Sequence, residues 1–437
     1  MFKRIASQKL QDFIDNKNAN KNVLLIKGAR QVGKSTLIES VLKKQKQKVV
    51  SINLSESNLI VERIDSCKSF QEFANYLKDE FSFYGDRDYI LYIDEAQLSN
   101  NLGSYVRFMK ENWSSATVIL SGSMMSELFK ERFPVGRVTE LTIRPLNFIE
   151  YLMAMDKESL AEKLESFKLV DEIPLITHTL LTEQLENYLK TGGLPAVIKA
   201  EIEEKNAFNV RDEILRNYRN DFTFYFQANS TLAFEAIKAV SRNVGSISKY
   251  SQVISPSLSA YHKVPAVLKR LEDWQIVLNV PQVGDQPEMN LSPKRYLFDC
   301  AVLQDLRYQA RPEPAVLQRL DPNVDKAIGG FVENFVAQEM HAKMTEDICG
   351  YKSKNYEIDF ILKQNQSEQV LPLEVKAALK NKLAYLDGMK LYCKKYGVNN
   401  GVCLTLDLPR KEVVLQGEMY FLPAYLAGEV WRLFLDR

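Results

Sequence analysis

The first third of the chain alternates apolar runs with amphipathic stretches. "NVLLIK" at 22–27, "YILYID" at 89–94 and "ATVILSG" at 116–122 are nearly unbroken apolar runs. They predict strands buried on both faces, and the shorter run "KVVSINLS" at 48–55 predicts another beside them. Between the runs, "STLIESVLKK" and "SFQEFANYLKDEF" repeat apolar residues every three or four positions, the spacing of an amphipathic helix. Such alternation over residues 22–150 predicts an α/β unit, a doubly wound parallel sheet with its ligand at the carboxyl ends of the strands.

Beyond residue 150 the pattern changes. "THTLLTEQLENYLKTGG" and "AFNVRDEILRNYRNDFTFYF" have helical spacing, with "TGGLP" at 191–195 as a turn between two helices. Helical stretches at 231–245, 246–254 and 259–275 then precede a β-like "IVLNVPQVG", the order of a winged helix-turn-helix. In that arrangement the third helix, with His262, Lys263, Lys269 and Arg270, would lie on double-stranded DNA; packing or protein contact is the alternative, since Glu272 and Asp273 share the helix. A strand and helix at 294–310 and the Pro-rich "RPEPAVLQRLDP" lead to a helix, three strands, a helix and a strand between 327 and 406. The expected domains are therefore 1–150, 151–228, 229–310 and 311–437.

Composition narrows the function classes. The net charge of +1 gives no global attraction to nucleic acid or anionic lipid, so such a partner would need a local patch. The five cysteines form no CxxC pair and the three histidines lie far apart, which argues against a zinc site or a disulfide framework. With no apolar leader and no run of eighteen apolar residues, the reading is a soluble, cytoplasmic protein without a membrane partner.

Gly28, Ala29, Arg30, Gln31, Val32, Gly33, Lys34 and Ser35 fit GxxxxGK[ST], and Thr36 follows them into the helix. Backbone N–H groups of such a loop close around a β-phosphate, aided by the positive end of the helix. Lys34 would reach the β and γ oxygens, and the Ser35 hydroxyl would bind Mg²⁺. About sixty residues on, an apolar strand ends in Asp94 and Glu95, a metal carboxylate followed by a general base for the attacking water. Ser121 or Ser123, at the end of a further strand, would contact the γ-phosphate or that water. Arg137 is either a residue supplied to a neighbouring subunit's nucleotide, implying a homo-oligomer, or a locally paired arginine.

"GARQVGKSTL", "YIDEAQ", "LSGS", "RPLNFIEY", "TGGLP", "KRYLFD" and "GGFVENFVAQE" occur in an order that resembles the bacterial and archaeal AAA+-type ATPases with a C-terminal domain of unresolved function. The resemblance implies ATP and Mg²⁺ as cofactors, a helical lid after the nucleotide domain and a winged-helix module after the lid. The C-terminal segment also resembles the PD-(D/E)xK nuclease core, with Glu333 on a helix, Asp359 on a strand, and Glu374 and Lys376 in "LEVK". That resemblance implies a second Mg²⁺ held by Glu333, Asp359 and Glu374, with Lys376 orienting a bound water. An ion pair on a solvated strand would give the same "ExK".

Two functions follow. One is an ATPase acting on DNA, whose C-terminal unit cuts or grips nucleic acid. The other is a slow regulatory ATPase that signals to a protein partner through an inert nuclease-like domain.

Overall fold

The computed structural model describes residues 2–16, 22–129, 133–285, 291–308, 322–343, 348–363, 369–377, 386–414 and 417–434. The chain divides into two compact units, Met1–Arg144 with Asp273–Gln275, and Pro145–Glu272 with Ile276–Arg437. Among the described residues no helix is long and apolar enough to cross a membrane.

In the first unit β1 (Val23–Lys27), β2 (Lys48–Asn53), β3 (Tyr89–Asp94), β4 (Thr117–Gly122) and β5 (Val138–Thr142) form one sheet in the order β2-β3-β4-β1-β5. Every pairing is parallel. The mainly apolar strands β1, β3 and β4 are central and buried, whereas β2 and β5, with interspersed polar residues, are the half-exposed edges. Helix Phe70–Phe81, capped by the Ser69 hydroxyl, turns Phe73 and Leu77 into the core beside Trp113 and Tyr105. Register then sets up the chemistry: Ile26 pairs with Ser121 and Ile93 with Leu120, so Asp94 reaches the level of Ser121 at the carboxyl edge.

The second unit begins with helices, among them Leu175–Thr191, Pro195–Ile202, Ala207–Phe226 and Ser230–Arg242. The expected helix at 246–254 is only a short 3-10 turn, Tyr250–Gln252. Ile247 bridges to Lys294 as a strand residue would, and Pro256 disfavours helical backbone at Ser255, so too few residues remain to nucleate a helix. The expected wing strand is split. β6 (Val277–Val280) pairs antiparallel with β8 (Lys294–Leu297), while β7 (Gln282–Gly284) joins the edge of a larger sheet. That sheet adds β9 (Ile348–Lys352), β10 (Glu357–Lys363), β11 (Val370–Val375), β12 (Asn400–Thr405), β13 (Arg410–Val414) and β14 (Gly417–Pro423), in the order β13-β14-β12-β11-β10-β9-β7. β9, β10 and β11 are antiparallel neighbours, and β12 runs parallel to β11.

Four of the motifs quoted from the sequence meet in this unit. Leu146 N–H donates to the Gly193 carbonyl at 2.7 Å and Gly193 N–H to Asp299 Oδ2 at 2.7 Å. Tyr188 O–H donates to the Leu146 carbonyl at 2.6 Å and accepts from Gln338 at 2.6 Å, while Glu339 accepts from Phe148 N–H at 2.8 Å. "RPLNFIEY", "TGGLP", "KRYLFD" and "GGFVENFVAQE" are therefore one buried hydrogen-bonded junction. Gly192, at φ +75°, is required there, because a Cβ would lie 2.4 Å from Asp299 Oδ1.

Candidate functional site

The loop between β1 and helix Lys34–Leu42 turns through left-handed backbone at Gln31 (φ 65°) and Gly33 (φ 89°). Successive conformations of this kind turn backbone N–H groups toward a common centre, as a phosphate requires. Gly28 allows the close approach of the loop to the chain after β5: a Cβ would stand 2.0 Å from the Ile143 carbonyl oxygen.

Lys34 is buried at 6 % exposure, and its Nζ donates to the carbonyls of Gly28 and Ala29, each at 2.9 Å. Burial lowers its pKa to about 8, partly offset by the nearby Glu95 and Asp94 carboxylates. Phosphate binding favours the ammonium, so nucleotide affinity should be flat below pH 8 and fall above it, by at most about tenfold per pH unit for one linked proton. Calorimetric ATP titrations between pH 7 and 10 check this, and a flat profile would show that Lys34 keeps its charge throughout that range.

Ser35 Oγ donates to Asp94 Oδ2 at 2.7 Å, and Ser121 donates to Asp94 Oδ1 in a short contact. Tyr92 O–H lies 3.1 Å from Ser121 Oγ. Of the two candidate serines, Ser121 is the one joined to the acid, while Ser123 is buried just past the end of β4. Glu95 has left-handed backbone (φ 50°, ψ 42°), uncommon for a residue with a side chain and frequent at functional sites. Its Oε2 accepts from Gln97 Nε2 at 2.5 Å. Gln97 was not singled out from the sequence. The signal was "DEAQ", where the contact needs the tight 3-10 turn Ala96–Leu98 to bring the amide back.

Arg137 precedes β5, and its carbonyl accepts from Val23 N–H at the amino end of β1, the edge of the sheet away from the phosphate loop. Its guanidinium pairs with Glu111 at 3.5 Å and donates to the Val135 carbonyl. The local pairing is thus the one observed.

In the C-terminal unit Glu333, Asp359, Glu374 and Lys376 are brought together. A bulge in β10, where Asp359 and Phe360 stand opposite Gly350 alone, turns Asp359 toward Glu374, whose Oε2 lies 3.4 Å from Asp359 N–H. Lys376 Nζ pairs with Glu374 Oε1 at 2.6 Å. Burial and the Asp359 charge raise Glu374 to about 8 against the pull of Lys376. Two of the three acids expected to hold a metal, Glu333 and Asp359, instead pair with Lys294 and the third, Glu374, with Lys376, and among the described residues no group of three or more His, Cys, Asp or Glu is placed to hold a metal ion. No local pattern signals this, because Lys294 reads as an ordinary strand-end lysine. Of the basic residues of the expected DNA helix, Arg270 is used internally: it donates to the Tyr225 carbonyl at 2.7 Å and lies over Phe226.

Residues 20–152 match a family described as "AAA domain". Residues 182–312 and 328–424 match two families described as domains of unknown function, DUF8612 and DUF4143. None of the curated proteins matches the chain. Among solved structures it is similar to the Walker-type ATPase PABY2304 of Pyrococcus abyssi, at 16 % identity and a TM-score of 0.44, over 70 % of this chain and 96 % of that one. The parallel sheet and the phosphate loop of this chain, with the family match, support an AAA-type P-loop ATPase domain over residues 20–152.

Proposed function

We propose that the chain binds ATP at residues 28–36 and hydrolyses it with Glu95 as the base, using the cycle as a switch read by a partner. The observation that carries this is the convergence of Lys34, Ser35, Asp94, Glu95 and Ser121 at one edge of the parallel sheet. A hydroxyl and a carboxylate 2.7 Å apart are the hard oxygen donors that magnesium selects, so Ser35 and Asp94 fit Mg²⁺. When bound, the ion would offset negative charge on the phosphate oxygens. Lys34 and the loop amides orient the phosphates, and Ser121 and Tyr92 hold Asp94 in place. Glu95 takes the proton of the attacking water, with Gln97 fixing the carboxylate.

The internal use of Arg270 and the pairing of the C-terminal acids with lysines favour a partner-signalling role over DNA cleavage. Calorimetry with ATP and ADP tests the nucleotide site. The parent should take up one nucleotide per chain, and Lys34→Ala should lose affinity by at least about a hundredfold, because the ammonium is the only side-chain cation assigned to the phosphates. Turnover is then compared with and without duplex DNA. Indifference supports the switch, and salt-sensitive stimulation would return the protein to a DNA-acting role.

A further inference from the structure

The PD-(D/E)xK resemblance implies a divalent cation among Glu333, Asp359 and Glu374, and the residues present do not fit one. Lys294, 1 % exposed, reaches into the cluster from β8. Its Nζ lies 3.1 Å from Glu333 Oε1, 2.8 Å from Glu357 Oε1 and 2.7 Å from Asp359 Oδ1. An ammonium has three N–H donors, and three carboxylates on two elements receive them. Further donors serve the same acids. Glu333 Oε1 accepts from Tyr296 O–H at 2.7 Å, Asp359 Oδ2 from Val375 N–H at 2.9 Å, and Glu374 pairs with Lys376. Glu357 Oε2 pairs with Lys352 at 2.9 Å on the rim.

The lysine backbone is fixed from two directions, by antiparallel pairing with Val280 and by the bridge to Ile247. Magnesium needs about six oxygens near 2.1 Å, and to gather them here it would have to expel a buried ammonium from all three of its partners. Burial alone would lower the Lys294 pKa, but Asp359, Glu333 and Glu357 outweigh it and hold the group charged.

We propose that the Lys294 ammonium is the resident cation of this cluster, standing where the nuclease resemblance places a metal, so that the C-terminal unit keeps its carboxylate geometry without binding Mg²⁺ or cutting phosphodiesters. The ammonium supplies charge balance, but it has no open coordination position at which water could be acidified. The cluster thereby becomes a structural tie between β8, helix Pro322–Lys343 and β10.

The test titrates the full-length, nucleotide-free protein with Mn²⁺, following free ion by electron paramagnetic resonance and folding by thermal melting. The parent should show no uptake that Asp359→Asn removes. Lys294→Met keeps chain length and deletes the charge, so the facing acids should now take up one Mn²⁺ per chain, with a melting transition that rises with Mn²⁺ and an uptake abolished by adding Asp359→Asn. Stoichiometric uptake by the parent that Asp359→Asn abolishes would overturn the proposal, as would a folded Lys294→Met that ignores Mn²⁺. Where Lys294→Met does not fold, the parent titration decides alone. ATP binding measured on the same samples reports the nucleotide site separately, so failure of either reading is visible without the other.

Discussion

Glu95→Gln is expected to bind ATP with near-parental affinity while steady-state hydrolysis drops by about 10²–10⁴-fold, the usual worth of a positioned general base. The substitution is close to isosteric, and the neighbouring amide makes it well tolerated. Gln97 Nε2 donates to Glu95 Oε2, while Gln97 Oε1 is buried without a hydrogen-bond partner among the described residues. A glutamine at 95 can offer its own N–H to that oxygen, so the turn at Ala96–Leu98 keeps its geometry and only basicity is lost. Phosphate release and calorimetry on the same preparation separate the two effects. Parental turnover in Glu95→Gln would remove this residue from the chemistry, whereas loss of ATP affinity would mean that the substitution had disturbed the phosphate loop itself.

The two halves of the molecule differ in how far sequence reveals them, and the reason is contact range. The phosphate loop is eight consecutive residues, and the strands beside it are continuous apolar runs, so local pattern was enough to place Lys34, Ser35, Asp94 and Glu95 at one edge. The C-terminal strands at 348–375 and 400–405 were also legible, from apolar runs bounded by polar turns. Lys294 was not, because its partners Glu333 and Asp359 lie 39 and 65 residues away and nothing around it marks it as buried. Likewise Gly193 meets Asp299 across 106 residues and Tyr188 meets Gln338 across 150, so four motifs visible as words gave no hint that they form one junction. The split of "IVLNVPQVG" between two sheets has the same origin, since the fate of β7 depends on the distant strand β9.

Asp299→Ala should cost about 2–5 kcal/mol of stability in the second unit. The carboxylate is fully buried and accepts three backbone hydrogen bonds, from Gly193 at 2.7 Å, Ala301 at 3.0 Å and Val302 at 3.1 Å. Two of these cap helix Cys300–Tyr308, where loss of an acidic cap costs about 0.5–2 kcal/mol. The third leaves the Gly193 N–H orphaned in the interior, at about 1–3 kcal/mol. Gly192 and Gly193 cannot readily shift to find another acceptor, because Asp299 and the Leu146 carbonyl already crowd both α-carbons. The thermal transition of the full chain should fall by about 10 °C for a unit of this size. Nucleotide affinity, set by residues of the other unit, should remain parental. Asp299→Asn separates capping from the junction: its Oδ1 can still serve Ala301 and Val302, but its Nδ2 would face the Gly193 N–H, donor against donor. A loss in Asn nearly as large as in Ala would locate the energy in the Gly193 contact, and a nearly parental Asn would locate it in the helix cap. An unchanged transition in Asp299→Ala would show that the junction of the four motifs does not depend on this carboxylate.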